Sequence, residues 1–186
     1  MAEPGGSGPI GPYPPGVETD EQRVEYDKLR RRVLWKMPSG LYVVGSRGPE
    51  TRNLMTANWV TQLSFDPKWV GVGIENAALT HELIVQGASF SVCFIDREDR
   101  AIVRKFTKPV EFDETAQTLS GFPFIERVTG APILAQSVAF LDCELREQVS
   151  AGNHTFFVGE VVDCGFLRGE QTPVLGMEDT RMNYGG

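Results

Sequence analysis

Apolar positions along the chain fall mostly into short β-rich runs separated by polar and glycine-containing turns; few stretches carry the spacing of an amphipathic helix. The runs LYVVGS at 41–46, LMTANWVTQLSF at 54–65, WVGVGI at 69–74 and FSVCFI at 90–95 each predict a strand. From Ser137 to Glu147, Ala139, Leu141, Cys143 and Leu145 alternate with Asp142, Glu144 and Arg146, the pattern of an antiparallel strand with one face in the core and one in water. The run from Thr155 to Val162 differs, because Phe156 and Val158 point one way while Phe157 and Val161 point the other. Both faces are dry, so this is read as the most buried strand, with a helix or a second subunit covering its outer face.

Helical spacing appears in three places. Asp20 is read as the N-cap of a helix carrying Tyr26, Leu29 and Val33 on one face and ending before Pro38, placed to cover one end of a sheet. Asn76 is read as the cap of a helix Ala77–Gln86, with Leu79, Leu83 and Ile84 as its stripe and Gly87 as its stop. Asp96 caps a third, Arg97–Phe106, whose Glu98, Asp99, Arg104 and Lys105 complement the helix dipole. Strands dominate, there is no internal repeat, and nothing alternates as a doubly wound sheet requires. The expected class is mainly β with a few covering α-helices.

Length and charge narrow this further. At 186 residues the chain suits one domain. Residues 1–19, dense in Gly and Pro, read as a disordered leader, 20–176 as the domain and 177–186 as a C-terminal tail. A net charge of −7 offers no cationic footprint for nucleic acid or an anionic membrane. No apolar run reaches the length of a membrane span and the start lacks signal-peptide features, so a cytoplasmic location is expected. Cys93, Cys143 and Cys164 lie in apolar segments and read as buried free thiols. With only His81 and His154 and no paired cysteine motif, a zinc site is not expected, and no metal is assigned.

Four segments carry candidate chemistry. Gly71 and Gly73 share one strand face, where something bulky packs, a ligand ring or a neighbouring Trp or Phe; the third glycine of a dinucleotide fingerprint is missing. At Asn76-Ala77-Ala78-Leu79-Thr80 a strand runs into a helix start whose free amides suit a phosphate, against the alternative of ordinary capping by Asn76. Met55-Thr56-Ala57-Asn58-Trp59-Val60-Thr61-Gln62 is strand-like yet rich in hydrogen-bonding groups, fitting either the edge of a flat heterocycle or a polar edge strand. His154 stands at the mouth of the dry strand, with no nucleophile motif to make it part of a triad.

In order, VLWKMPSGLYVVGSR, NLMTANWVTQLSFDPKWVGVGIE, NAALTHELI, FSVCFI, Arg104-Lys105-Phe106 and AGNHTFFVGEVVD resemble the flavin reductase-like family with the FMN-binding split barrel, a match from about Val33 to Leu175. The resemblance implies a Greek-key-like split β-barrel and an oxidoreductase that reduces FMN with NADH or NADPH, as a homodimer, and that supplies a partner monooxygenase. By the same resemblance Met55, Thr56, Ala57, Asn58, Trp59, Val60, Thr61 and Gln62 line the isoalloxazine edge. Asn76, Ala77 and Thr80 hold the phosphate, Lys105 and Phe106 add to the pocket, and His154 stands beside the nicotinamide as the catalytic residue. Two competing readings are a non-catalytic flavin-binding electron carrier and a barrel for another flat cofactor, haem or a deazaflavin. Asn153 departs from the family's usual Asp, and the tail GMEDTRMNYGG departs from the commoner ending, with Arg181 and Tyr184 in reach of a flavin or a nicotinamide phosphate.

Overall fold

The structure, a computed structural model, describes residues 12–180 and Met182. The expected positions Arg181 and Tyr184 lie outside the described residues, as does the leader before residue 12. Two compact units divide the chain, one running up to Pro38 and the other Ser39–Arg181.

The first unit holds helix α1 (Asp20–Leu34). Its cap is Thr19 rather than Asp20: the Gln22 amide donates to Thr19 Oγ1 at 3.2 Å, and the Thr19 amide donates to Gln22 Oε1 at 3.0 Å. This reciprocal pair satisfies two amides that an Asp20 cap would leave open, and Asp20 instead adds negative charge to the first turn. Tyr13, from the stretch read as disordered, lies against Tyr26 with centroids 6.1 Å apart and donates to Asp27 Oδ2 at 3.1 Å. Leu29 and Val33, the stripe read as the covering face, are exposed.

The second unit is built on an antiparallel sheet of seven strands: β1 (Tyr42–Arg47), β2 (Arg52–Ala57), β3 (Val60–Ser64), β4 (Trp69–Glu75), β5 (Ser89–Phe94), β10 (Ala139–Ala151) and β11 (His154–Phe166). Their order across the sheet is β2-β1-β5-β10-β11-β4-β3. The two edge strands, β2 and β3, are consecutive in sequence and joined by Asn58 and Trp59 alone. That short link draws opposite edges together at one corner, so the sheet is strongly curved while its hydrogen-bond ladder stays open. The run 54–65 is therefore two strands and a corner, because one continuous strand could not serve both edges. A smaller sheet, β6 (Phe112–Asp113), β7 (Thr118–Leu119), β8 (Phe122–Ile125) and β9 (Ile133–Leu134), was not foreseen.

The core lies on the concave side, where Val44, Val70, Val72, Ile74, Phe90, Val92, Cys143 and Phe157 pack with Ile84 of helix α2 (Leu79–Gly87). Burying such side chains is worth about 1.5–3 kcal/mol each, which makes this cluster the main source of the fold's stability. On β10, Leu141, Cys143 and Leu145 pack toward the core as expected, while Asp142, read as facing water, is fully buried on the opposite face. The Asp142 carboxylate is satisfied there by the amide of Thr129, 2.9 Å away, and by the Thr129 hydroxyl. Cys93 and Cys143 are buried as expected, and burial pushes the Cys143 thiol up to about 12; Cys164 is exposed, contrary to expectation.

The third predicted helix is instead two separate 3-10 turns, Arg97–Asp99 and Ile102–Phe106. Asp96 does cap the first, accepting from the Glu98 amide at 2.9 Å. Val103 and Phe106 are the buried pair of the second, and a spacing of three matches the 3-10 period rather than the α period. The chain then returns along β5: Arg168 bridges Asp96 at 2.7 Å and Asp99 at 2.8 Å, and the buried Leu175 donates its amide to Ile95 O. Among the described residues no helix is long and apolar enough to cross a membrane.

Candidate functional site

The site grows from the corner between β2 and β3. Asn58 is 7% exposed; its amide nitrogen reaches the Ser39 hydroxyl at 3.5 Å, while its Oδ1 is buried with no hydrogen-bond partner. A buried acceptor without a donor costs about 1–3 kcal/mol, so Oδ1 is a place where a ligand N–H would be stabilised. The adjacent Trp59 carbonyl accepts from the Gly73 amide at 2.8 Å, which ties the corner to β4.

Just beyond this same end of β4, α2 begins without the expected side-chain cap. Its N-cap is Ala78, which has no side chain able to bond the first turn. Asn76 is engaged elsewhere: its Nδ2 donates to Gly152 O at 3.3 Å, its Oδ1 accepts from the Thr155 hydroxyl at 2.9 Å, and its amide donates to Asn153 O at 2.9 Å. Because the Thr155 hydroxyl spends its proton on Asn76, His81 Nε2, 2.9 Å from the same oxygen, carries a proton and donates. A continuous chain thus runs His81–Thr155–Asn76. It ties the β10–β11 turn to the segment before α2, whose helix start carries no side-chain cap, an arrangement that favours an anion.

His154 sits on this locked turn, opposite Glu75 in the β11–β4 ladder. Its Nδ1 lies 2.8 Å from Asn153 Oδ1, and its ring faces Trp59 with centroids 4.5 Å apart at 48°. Burial holds the imidazole below its ordinary pKa, an effect the Glu75 carboxylate partly offsets.

Not every expected residue joins this cluster. Trp59 is in ring contact with His154, Asn76 bonds the turn that carries His154, Asn58 precedes Trp59 in the corner, and Ala77 is exposed. Ala57 is in the core, and Met55 and Val60 pack against it. The Thr56 hydroxyl donates to Val103 O, fastening β2 to the turn that carries Lys105, which is exposed. Phe106 is fully buried, edge-on to Phe122 at 5.3 Å. Thr61 and Gln62 are exposed and bond their own strand, to Gln62 O and Ser64 O. Thr80 lies in the first turn of α2, fully buried, where its hydroxyl accepts from Asn53 Nδ2 at 2.9 Å.

The bulky occupants expected over Gly71 and Gly73 are protein side chains. A Cβ on Gly71 would fall 2.2 Å from the Phe156 ring, and one on Gly73 would fall 3.1 Å from Trp59. Sequence reading missed Asn53, Thr155 and His81; the second histidine of a chain with only two was the one available signal.

A flavin reductase like domain matches residues 34–186, most of the chain. The chain belongs to the flavin reductase-like family. It is 31% identical to an NADH-dependent FAD reductase of Streptomyces globisporus over 71% of this chain and 72% of that protein. The crystal structure of the Streptomyces globisporus C-1027 NADH:FAD oxidoreductase with NAD and FAD fragments is similar at TM-score 0.68 and 26% identity, covering 82% of this chain and 88% of that one. The styrene monooxygenase flavin reductase of Pseudomonas putida S12 is similar at TM-score 0.64 and 27% identity, over 74% and 87% of the two chains. Other relatives are much longer: this chain spans about a quarter, 24%, of a putative diflavin flavoprotein of Nostoc sp., at 27% identity over 71% of its own length.

Proposed function

We propose that this protein is a flavin reductase that takes a hydride from NADH and releases reduced flavin to a separate monooxygenase. The observation that carries the reading is the convergence, in a member of this family, of the orphan acceptor Asn58 Oδ1, the uncapped start of α2 and His154 around one corner of the sheet. A bound flavin supplies the hydride acceptor. The chain's own groups bind and orient. Asn58 Oδ1 accepts from an N–H on the ring edge, and backbone N–H groups of the corner stabilise charge on the ring without a titrating side chain. Ala77 and the first-turn amides through Thr80 hold the phosphate, a group common to FMN and FAD. His154 places the nicotinamide.

In this reading the curved open sheet is a split barrel, 20–176 is the flavin domain, and the protein acts in the cytoplasm. It works as a homodimer, a role supported by the apolar side chains that β3 and the turn after it leave in solvent, Leu63 at 44% and Phe65 at 81% exposed. The test is anaerobic addition of NADH to the protein loaded with FMN or FAD. Loss of the yellow flavin absorbance near about 450 nm is the expected result. Retained flavin with no bleaching identifies an electron carrier instead, and failure to bind flavin removes the reading.

A further inference from the structure

The stretch from Pro173 to Thr180 is bonded on two sides, as a strap. Toward residues 95–97, the Arg97 amide donates to Pro173 O at 3.0 Å and the Leu175 amide to Ile95 O at 2.8 Å. Toward residues 39–41, the Leu41 amide donates to Leu175 O at 3.2 Å and the Met177 amide to Ser39 O at 3.1 Å. One carboxylate oxygen fastens the end: Asp179 Oδ2 accepts from the Gly176 amide at 2.9 Å and from Arg97 Nε at 3.0 Å. The Gly176 amide first, and then the Arg97 guanidinium, hold the Asp179 carboxyl below the usual carboxylate range. Asp179 is therefore an ionised latch between the strap and the turn after β5.

The strap reaches Ser39, and Ser39 touches the site. Its hydroxyl is, among the described residues, the hydrogen-bond partner of the Asn58 side chain, accepting from Nδ2 at 3.5 Å. A bond of that length is weak, so a small movement of Ser39 makes or breaks it. Asn58 is 7% exposed and its Oδ1 has no partner; turning the amide moves its donor and acceptor ends together.

We infer that Ser39 and Asp179 are positioning residues for the flavin ring: the latched strap sets the Ser39 hydroxyl, and Ser39 orients the Asn58 amide whose Oδ1 accepts the ring N–H. The flavin as ligand rests on the reductase reading; the link from the strap to Asn58 does not. The ring edge of an oxidised flavin carries one N–H, at N3, between two carbonyls to which a turned amide would donate instead. A fixed amide therefore selects flavins that keep the N3 hydrogen.

Two measurements test this. In the ligand-free full chain, the side-chain amide resonances of Asn58 are followed by heteronuclear NMR, with those of Asn53, bonded to Thr80, as internal reference. Ser39→Ala is expected to move the Asn58 amide protons upfield, Asp179→Asn to move them the same way by less, and Ser39→Thr to leave them in place, with Asn53 unchanged in all three. Asn58 resonances unmoved in both of the first two variants overturn the link, and movement in Ser39→Ala alone overturns the role of Asp179. Binding of FMN is then compared with that of its N3-methyl derivative. The wild-type protein is expected to favour FMN about tenfold, as suits a buried acceptor that gains or lacks its donor. Ser39→Ala and Asp179→Asn are expected to cut the ratio to about threefold or less, and Ser39→Thr to restore it. Weakening of both flavins by one common factor, with the ratio kept, overturns the positioning role, since a loss of structure alone acts on both alike. If the wild-type protein binds neither flavin, the reductase reading and the flavin fall together, and the amide resonances still decide whether the strap sets Asn58.

Discussion

The two faces of the β4–β11 ladder are built from neighbouring residues and put to opposite uses. On the inner face Phe157, opposite Val72, is fully buried among the aliphatic side chains of the core and edge-on to His81 at 5.0 Å. On the outer face Phe156 stands opposite Gly73, and the two glycines of β4 let Phe156 and Trp59 lie flat on the backbone, partly open to solvent. The inner face gains stability from interlocked volume, which any change disrupts. The outer face gives up side-chain volume for a floor on which aromatic rings rest. One strand thus separates a closely interlocked core from a shallower, partly exposed aromatic layer.

The largest effect expected from breaking this contrast is Phe157→Ala, which opens a cavity in the core and costs about 3–5 kcal/mol in chemical denaturation. A cost below about 1 kcal/mol would mean that the inner face is not the packed one. Gly71→Ala comes next. Its Cβ would meet the Phe156 ring at 2.2 Å and Leu63 at 3.0 Å, and overpacking of this kind costs about 1–3 kcal/mol. Gly73→Ala, whose Cβ would stand 3.1 Å from the Trp59 ring, is expected to cost less than about 1 kcal/mol. Equal destabilisation by the two alanines would show that the closer approach at Gly71 is not the costlier one.

Thr155→Val removes the hydroxyl shared by Asn76 and His81, so that Asn76 Oδ1 and His81 Nε2 both lose their bond to it, at about 1–2 kcal/mol of stability. Its sharper signature is kinetic: the rate of flavin bleaching by NADH falls because the turn bearing His154 loosens, and Thr155→Ser restores it.

The smallest effect is on pH dependence. Burial depresses the folded pKa of His154 below its unfolded value of about 6.5, so between the two the unfolded chain binds more protons. Stability therefore rises with pH across that window, is complete above it, and is lost as pH falls through the depressed value. His154→Gln should abolish the contribution, and Trp59→Ala should shrink it by letting water reach the ring. A slope unchanged in both variants would assign the titration to another group.

Much of this arrangement was legible in the order of residues. Strands β1, β4 and β5 lie within a residue or so of their apolar runs, because β-branched and aromatic side chains in short alternation suit little else. The paired glycines announced a bulky neighbour, and the dry run after His154 announced a buried strand. What failed did so where a polar side chain had more than one use. Asn76 reads as a helix cap, yet Thr155, distant in sequence, claims its amide oxygen. Asp142 reads as a solvent-facing residue, yet the segment of Thr129 covers it and donates to its carboxylate. Separately, the bonds of Thr61 and Gln62 within their own strand and the packing of Phe106 on Phe122 are contacts that the ordered set of segments does not specify.

The sequence by itself determined the core strands β1, β4 and β5, the first two helices and the place of a histidine at the start of β11, since local periodicity and side-chain shape act over a few residues. That β5 rather than β11 is the more fully buried strand it did not determine. Only the tertiary structure decided that Asn58 and Trp59 make a corner joining opposite edges of the sheet, that His81 supports the turn of His154, and that an indole stands against the catalytic candidate. Those contacts join residues as far apart as Trp59 and His154, 95 positions (154 − 59), and their partners are selected by strand order and register, which no local pattern encodes.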